Sequence, residues 1–128
     1  MLNSDFLDSS YKIPGGGWLS SAEDMARFEV AILNDKLVRP ATRELMWTPL
    51  KPSDGSADNY GLGWGVSDKD GFQELGHTGG QQGTSTAFFV APASRVGVVV
   101  LSNMEDVNAG KLAREILKIV VTGAAPGH

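Results

Sequence analysis

The residues of this 128-residue chain best equipped for chemistry are consecutive: His77, Thr78, Gly79 and Gly80. An imidazole that can donate or accept a hydrogen bond is followed by a hydroxyl and then by two residues without side chains. The strand-like residues 72–76 lead into them, and Gln81-Gln82-Gly83 and the apolar alternation of 84–91 follow. On a strand, glycine leaves the backbone bare, so that a substrate can lie close against the strand edge. Such a surface suits acyl transfer, which needs donors aimed at a developing oxyanion and groups that seat the substrate. A plain strand histidine followed by glycine bends would read the same in isolation, so the neighbouring segments decide.

Those segments fall in an informative order. Gly16-Gly17-Trp18-Leu19-Ser20-Ser21-Ala22-Glu23-Asp24-Met25-Ala26-Arg27-Phe28 reads as a glycine-rich turn and a helix. Tyr60-Gly61-Leu62-Gly63-Trp64-Gly65-Val66 is an aromatic-glycine strand, and Gly97-Val98-Val99-Val100-Leu101-Ser102-Asn103 an apolar one. Taken with His77-Thr78-Gly79-Gly80, they resemble the penicillin-recognising serine hydrolases, in the branch of class C β-lactamases, D-alanyl-D-alanine carboxypeptidases and related esterases. The resemblance covers residues 10 to 122. It implies that Gly80 supplies a backbone N–H to the oxyanion hole and that Thr78 offers its hydroxyl to the substrate's polar end. Gly79 belongs to the same substrate-binding wall. His77 stands where the Lys-Thr-Gly pattern has lysine, to orient a catalytic tyrosine or lysine or to favour an anionic substrate.

The family's nucleophile motif, Ser-x-x-Lys, occurs here once, as Ser9-Ser10-Tyr11-Lys12. A serine and lysine three apart face one another only on a helix. Pro14 disfavours helical geometry just before it, and three glycines follow, so no nucleophile is assigned. The second motif, Tyr-x-Asn or Ser-x-Asn, has no candidate, because Met1, Ile32, Ala57, Leu101 and Asp106 precede the five asparagines by two. The resemblance therefore implies the C-terminal part of the family's full length, inactive alone. A stand-alone binding or assembly domain, or one half of a split hydrolase, are the alternatives.

Composition bounds the rest. Hydrophobic residues make up 41% and charged residues 20%, as in an ordinary globular protein. A net charge of −4 without a basic cluster argues against nucleic acid. With no cysteine there is neither disulfide nor thiolate chemistry, and the compartment cannot be read from redox usage. No metal-ligand spacing or phosphate loop occurs, so no cofactor or metal is expected. Residues 1–5 lack the basic and apolar parts of a signal peptide, and residues 96–101 are too few to span a bilayer.

The positioning elements follow from periodicity. Residues 1–19 read as a lead-in ending in a glycine turn. Ser20 serves as N-cap with Glu23 completing a capping box, and Met25, Phe28, Ile32 and Leu33 form a helical face up to about Asn34. Pro40 opens a second helix through Trp47, with Leu45 and Met46 toward a core, and 49–59 is a loop. Strands are expected at 60–66, 72–78, 84–91 and 96–101, the first two joined by the turn 67–71. Leu112, Ala113, Ile116, Ile119 and Val120 form the stripe of a last helix. The fold class is thus α+β, an antiparallel sheet of about four strands with flanking helices. A single partial domain is expected: lead-in to 19, helical part 20–59, sheet and helix 60–122, tail 123–128. A small-molecule acyl substrate is the implied ligand. The resemblance further implies that 96–101 pairs on its far side with a strand from the N-terminal part of the family's chain; with that strand missing here, its uncharged edge implies a homo-oligomer.

Overall fold

The computed structural model describes Asp8 and residues 13–56, 58–68 and 70–123. Ser9, Lys12 and His128 lie outside the described residues, as does the tail beyond Gly123. The chain order is α1 (Ile13–Gly16), α2 (Ala22–Leu33), α3 (Pro40–Met46), β1 (Gly65–Ser67), β2 (Glu74–Gln81), β3 (Thr84–Ala91), β4 (Val96–Ser102) and α4 (Ala109–Thr122). The four strands form one antiparallel sheet in the order β1-β2-β3-β4. The expected α+β architecture is therefore the observed one.

Alternation along β3 divides the core between the two faces of this sheet. Ala87, Phe89 and Ala91 point to one side and pack with Ala109, Ala113 and Leu117 of α4. Val90 points to the other, where it joins Leu75, Val66, Trp64, Trp47, Ile32 and Leu33, with Phe88 packed against them. The sheet is consequently the middle layer, with α4 on one face and α2 and α3 on the other. The small residues Ala109 and Ala113, fully buried, let α4 approach the sheet closely.

Several local expectations are corrected. Ser21, not Ser20, caps α2: its hydroxyl accepts the Asp24 N–H at 3.1 Å and donates to the Asp24 carboxylate at 3.0 Å. Placing the cap one residue later leaves Asp24, rather than Glu23, at the third helical position. Pro14 does not prevent helical backbone, because proline is tolerated in a first turn, and α1 is one such turn. Leu45 is exposed, and Trp47, two residues further on, enters the core instead. On α4 the buried positions are Ala109, Gly110, Ala113 and Leu117, while Leu112, Ile116 and Val120 are exposed. The apolar positions of α4 wrap around more of the helix than one sheet face can cover.

Glu29 is the one acidic residue of α2 that is buried, 8% exposed. Its carboxylate rests on Gly97 of β4, where a Cβ would come within 2.3 Å of Glu29 Cδ. Burial pushes the Glu29 pKa up. The folded state then holds this proton more tightly than the unfolded chain. Stability is unaffected below the ordinary carboxylate range and falls as pH rises through the raised value. Glu29→Gln should remove that decline and be more stable than the parent at neutral pH. Urea midpoints measured between about pH 4 and pH 8 check this. Equal pH slopes for the two proteins would mean the carboxylate is solvated.

Candidate active site

β2 carries His77, Thr78, Gly79 and Gly80 in its middle, not at its end as periodicity suggested. Its inner edge is paired throughout: His77 opposes Phe88, Thr78 opposes Ala87, Gly79 opposes Thr86 and Gly80 opposes Ser85. Its outer edge is different. β1 pairs only from Gly65, opposite Gly76, to Ser67, opposite Glu74. From His77 to Gly80 β2 has no strand partner on that side among the described residues.

The reason β1 is so short lies in the segment before it. A strand was expected from residue 60, but the chain folds back on itself there. Gly61 N donates to Trp64 O at 2.7 Å, Gly63 takes φ 81°, and Leu62 N bonds the Met46 carbonyl at the end of α3 at 2.9 Å. Trp64 is thereby driven into the core, where it meets Trp47 edge-on at 5.8 Å. Only Tyr60 keeps a sheet-like bridge, to Gly65. The turn that buries Trp64 is what leaves the edge of β2 bare.

All four motif residues are exposed. Strand alternation puts His77 and Gly79 on the face toward α2, and Thr78 and Gly80 on the face toward α4. The His77 ring meets Tyr60 edge-on, 5.7 Å between centroids. Its Nδ1–H donates to the Thr78 carbonyl at 2.5 Å, which in the neutral ring leaves Nε2 as a free acceptor. Thr78 packs against the first turn of α4, since a Cβ on Gly110 would lie 2.8 Å from Thr78 Cγ2. Gly79 makes room for Thr86, whose Oγ1 would be 2.6 Å from an added Cβ. At Gly80 an added Cβ meets nothing within 4 Å, so packing does not require glycine there.

Two of the hollows that meet at this strand are lined by His77. One, of about 460 Å³, opens beside the bare edge and is lined by Tyr60, Gly76, His77, Thr78, Glu74 and Arg114. In it Arg114 bonds Glu74 at 2.8 Å and stacks over Phe89 at 4.2 Å. The other, of about 650 Å³, lies on the α2 side and is lined by Trp18, Met25, His77, Gly79, Phe88 and Leu101. Tyr60, Glu74 and Arg114 were not singled out from sequence. Arg114 could have been found as the charged residue bordering the buried Ala113, whereas the Tyr60–His77 contact depends on the fold-back at 61–64. Among the described residues no cluster of His, Asp or Glu could hold a metal ion.

The sheet is thus sandwiched between helices, with His77-Thr78-Gly79-Gly80 exposed along β2. The chain belongs to the beta-lactamase family, whose model, Beta-lactamase, matches residues 2–121. It is similar to the mouse serine beta-lactamase-like protein LACTB, mitochondrial, from Mus musculus, at 32% identity over 120 residues, covering 72% of this chain and 21% of that protein. It is also similar to penicillin-binding protein 4* of Bacillus subtilis (strain 168), at 29% identity over 96 residues, covering 73% of this chain and 21% of that protein. The chain thus spans about a fifth to a little over a quarter of the curated relatives it matches.

Solved structures agree on the fold. The octameric penicillin-binding protein homologue from Pyrococcus abyssi superposes with a TM-score of 0.70 at 23% identity, over 84% of this chain and 25% of that one. The penicillin-binding protein from Bacillus halodurans gives 0.61 at 25% identity, over 75% and 30%.

Proposed function

We propose that this chain forms the third-motif wall of a β-lactamase-like serine hydrolase, acting on a β-lactam, a D-alanyl peptide or a carboxylic ester, and that it is a single partial domain. The observation that carries the reading is the outer edge of β2 from His77 to Gly80, which no strand covers among the described residues, with the motif exposed along it. In this role Gly80 offers its N–H to the oxyanion, Thr78 its hydroxyl to the substrate's polar end, and Gly79 a bare strand to lie against. His77, its Nδ1 occupied by the Thr78 carbonyl, presents Nε2 to a proton donor such as a catalytic tyrosine or lysine.

The nucleophile and its base come from outside residues 13–123, which contain no Ser-x-x-Lys and no Tyr-x-Asn or Ser-x-Asn. The 128-residue chain should accordingly leave a chromogenic cephalosporin and a nitrophenyl ester hydrolysing at the buffer rate. Loss of a nucleophile and its base costs on the order of a million-fold in serine proteases. A turnover abolished by Ser9→Ala would show that the chain carries its own nucleophile. The wall itself is tested by amide shifts: millimolar benzylpenicillin should move Gly79 and Gly80, and less so in Thr78→Val. Shifts confined to other surfaces would remove the substrate-binding role.

A second reading, assembly, has its own observation. β4 ends the sheet with no strand on its outer side among the described residues. The octameric state of the Pyrococcus abyssi homologue supports self-association in this reading. Among the described residues no helix is long and apolar enough to cross a membrane.

A further inference from the structure

β1 pairs with β2 only as far as Gly65, opposite Gly76, so an uninterrupted ladder would set residue 64 beside His77. Trp64 does not continue the ladder, because it turns inward against Trp47 and Phe88. Tyr60, bridged to Gly65, stands beside the imidazole instead. Backbone bonds fix it there: Leu50 N donates to Tyr60 O at 2.9 Å, and Val66 N donates to Asn59 O at 2.8 Å. The half-buried phenol ring meets the exposed imidazole at 83° between planes, with centroids 5.7 Å apart.

Two contacts therefore act on one ring. The Thr78 carbonyl can only accept, so the Nδ1 that lies 2.5 Å from it carries the proton, and the neutral ring keeps a bare Nε2. A half-turn about Cβ–Cγ would put a carbon where Nδ1 was, break that bond and swing Nε2 away. The carbonyl by itself is a weak latch on an exposed side chain, since water competes for both partners. Tyr60 adds a contact that water does not supply. An edge-on aromatic pair shifts such an equilibrium by about two- to tenfold.

We infer that Tyr60 is a positioning residue. It holds the His77 imidazole in the one orientation that keeps Nδ1–H on the Thr78 carbonyl and leaves Nε2 free to accept from a proton donor. What Nε2 meets rests on the hydrolase reading, whereas the ring orientation is a property of this chain by itself. The fold-back at 61–64 thereby has a second consequence. The turn that closes Gly61 N onto Trp64 O, with Gly63 at φ 81°, sends Trp64 into the core and brings Tyr60 to the motif. Core packing and the direction of a chemistry-bearing nitrogen are set by the same few residues.

Long-range proton–nitrogen correlation spectra of the isotope-labelled chain read which imidazole nitrogen carries the proton. They are taken at alkaline pH, where an imidazole is neutral. His77→Gln identifies the His77 signals, since the sequence has one other histidine, His128. The parent should show a protonated Nδ1 and a bare Nε2, with nuclear Overhauser contacts between the His77 and Tyr60 rings. Tyr60→Leu should lower the ratio of the Nδ1–H to the Nε2–H tautomer by about two- to tenfold. Tyr60→Phe, which keeps the ring, should hold the parent ratio, with circular dichroism confirming that both variants fold. A parent lacking the ring contacts, or carrying its proton on Nε2, overturns the inference before any variant is made. So does a folded Tyr60→Leu protein that keeps the parent ratio, or a Tyr60→Phe protein as disturbed as Tyr60→Leu. If millimolar benzylpenicillin leaves Gly79 and Gly80 unmoved while the expected tautomer pattern is seen, the hydrolase reading falls and the orientation of His77 by Tyr60 stands.

Discussion

Gly76→Ala should destabilise the fold by at least about 3 kcal/mol, while Gly80→Ala, four residues along the same strand, should change stability by less than about 1 kcal/mol. Gly76 is clamped on both sides, opposite Gly65 in β1 and Phe89 in β3. A Cβ there would lie 2.1 Å from the Phe88 carbonyl oxygen, 2.5 Å from Phe89 Cδ1 and 2.8 Å from Phe89 Cα. Two of these three atoms are backbone, so relief requires β2 and β3 to separate rather than a side chain to turn aside. Against a net stability of roughly 5–15 kcal/mol for a domain, that loss is a large fraction. Urea midpoints of the two variants measure the contrast. If Gly80→Ala proves as costly as Gly76→Ala, glycine at 80 serves packing, and the case for a substrate-facing backbone there is lost.

Leu117→Ala should cost about 2–5 kcal/mol. Leu117 is fully buried between α4 and the sheet, and the other buried α4 positions that pack beside it are alanines, which cannot expand into the space. The same substitution tests how the site is held. Docking of α4 seats Gly110 against Thr78, so loosening the helix should speed amide exchange at Thr78 and Gly79 before the sheet as a whole unfolds. A midpoint shift equivalent to less than about 1 kcal/mol would show that the core refills around the cavity, and that α4 is not what rigidifies the motif.

Much of this molecule was legible in the chain because it depends on local periodicity. The alternation of residues 84–91 is β3 to the residue, and the apolar run from Val96 is β4. Pro40 does open α3, and Asn34 does end α2. The family was legible too, since His77-Thr78-Gly79-Gly80, the Gly-Trp turn and the Gly97 strand are contiguous stretches that keep their order. What failed were readings in which a neighbour in sequence is not the neighbour in space. Leu45 and Leu112 fit an apolar helical pattern, but periodicity cannot say how wide a face the opposing layer will cover. Periodicity also extends a strand through 60–66, where hydrogen bonds from Gly61 and Leu62 to Trp64 and Met46 turn the chain instead.

Sequence alone thus determined the element types, the antiparallel sheet and the chemical character of the motif, because backbone propensity and side-chain alternation act within a few residues. Tertiary structure alone decided that the motif lies exposed beside an open edge, that Tyr60 stands against His77, that Gly76 cannot change and that Glu29 is buried on Gly97. Each of these depends on which surfaces approach from afar. Side-chain volume and hydrogen bonding settle that only when all the layers pack together.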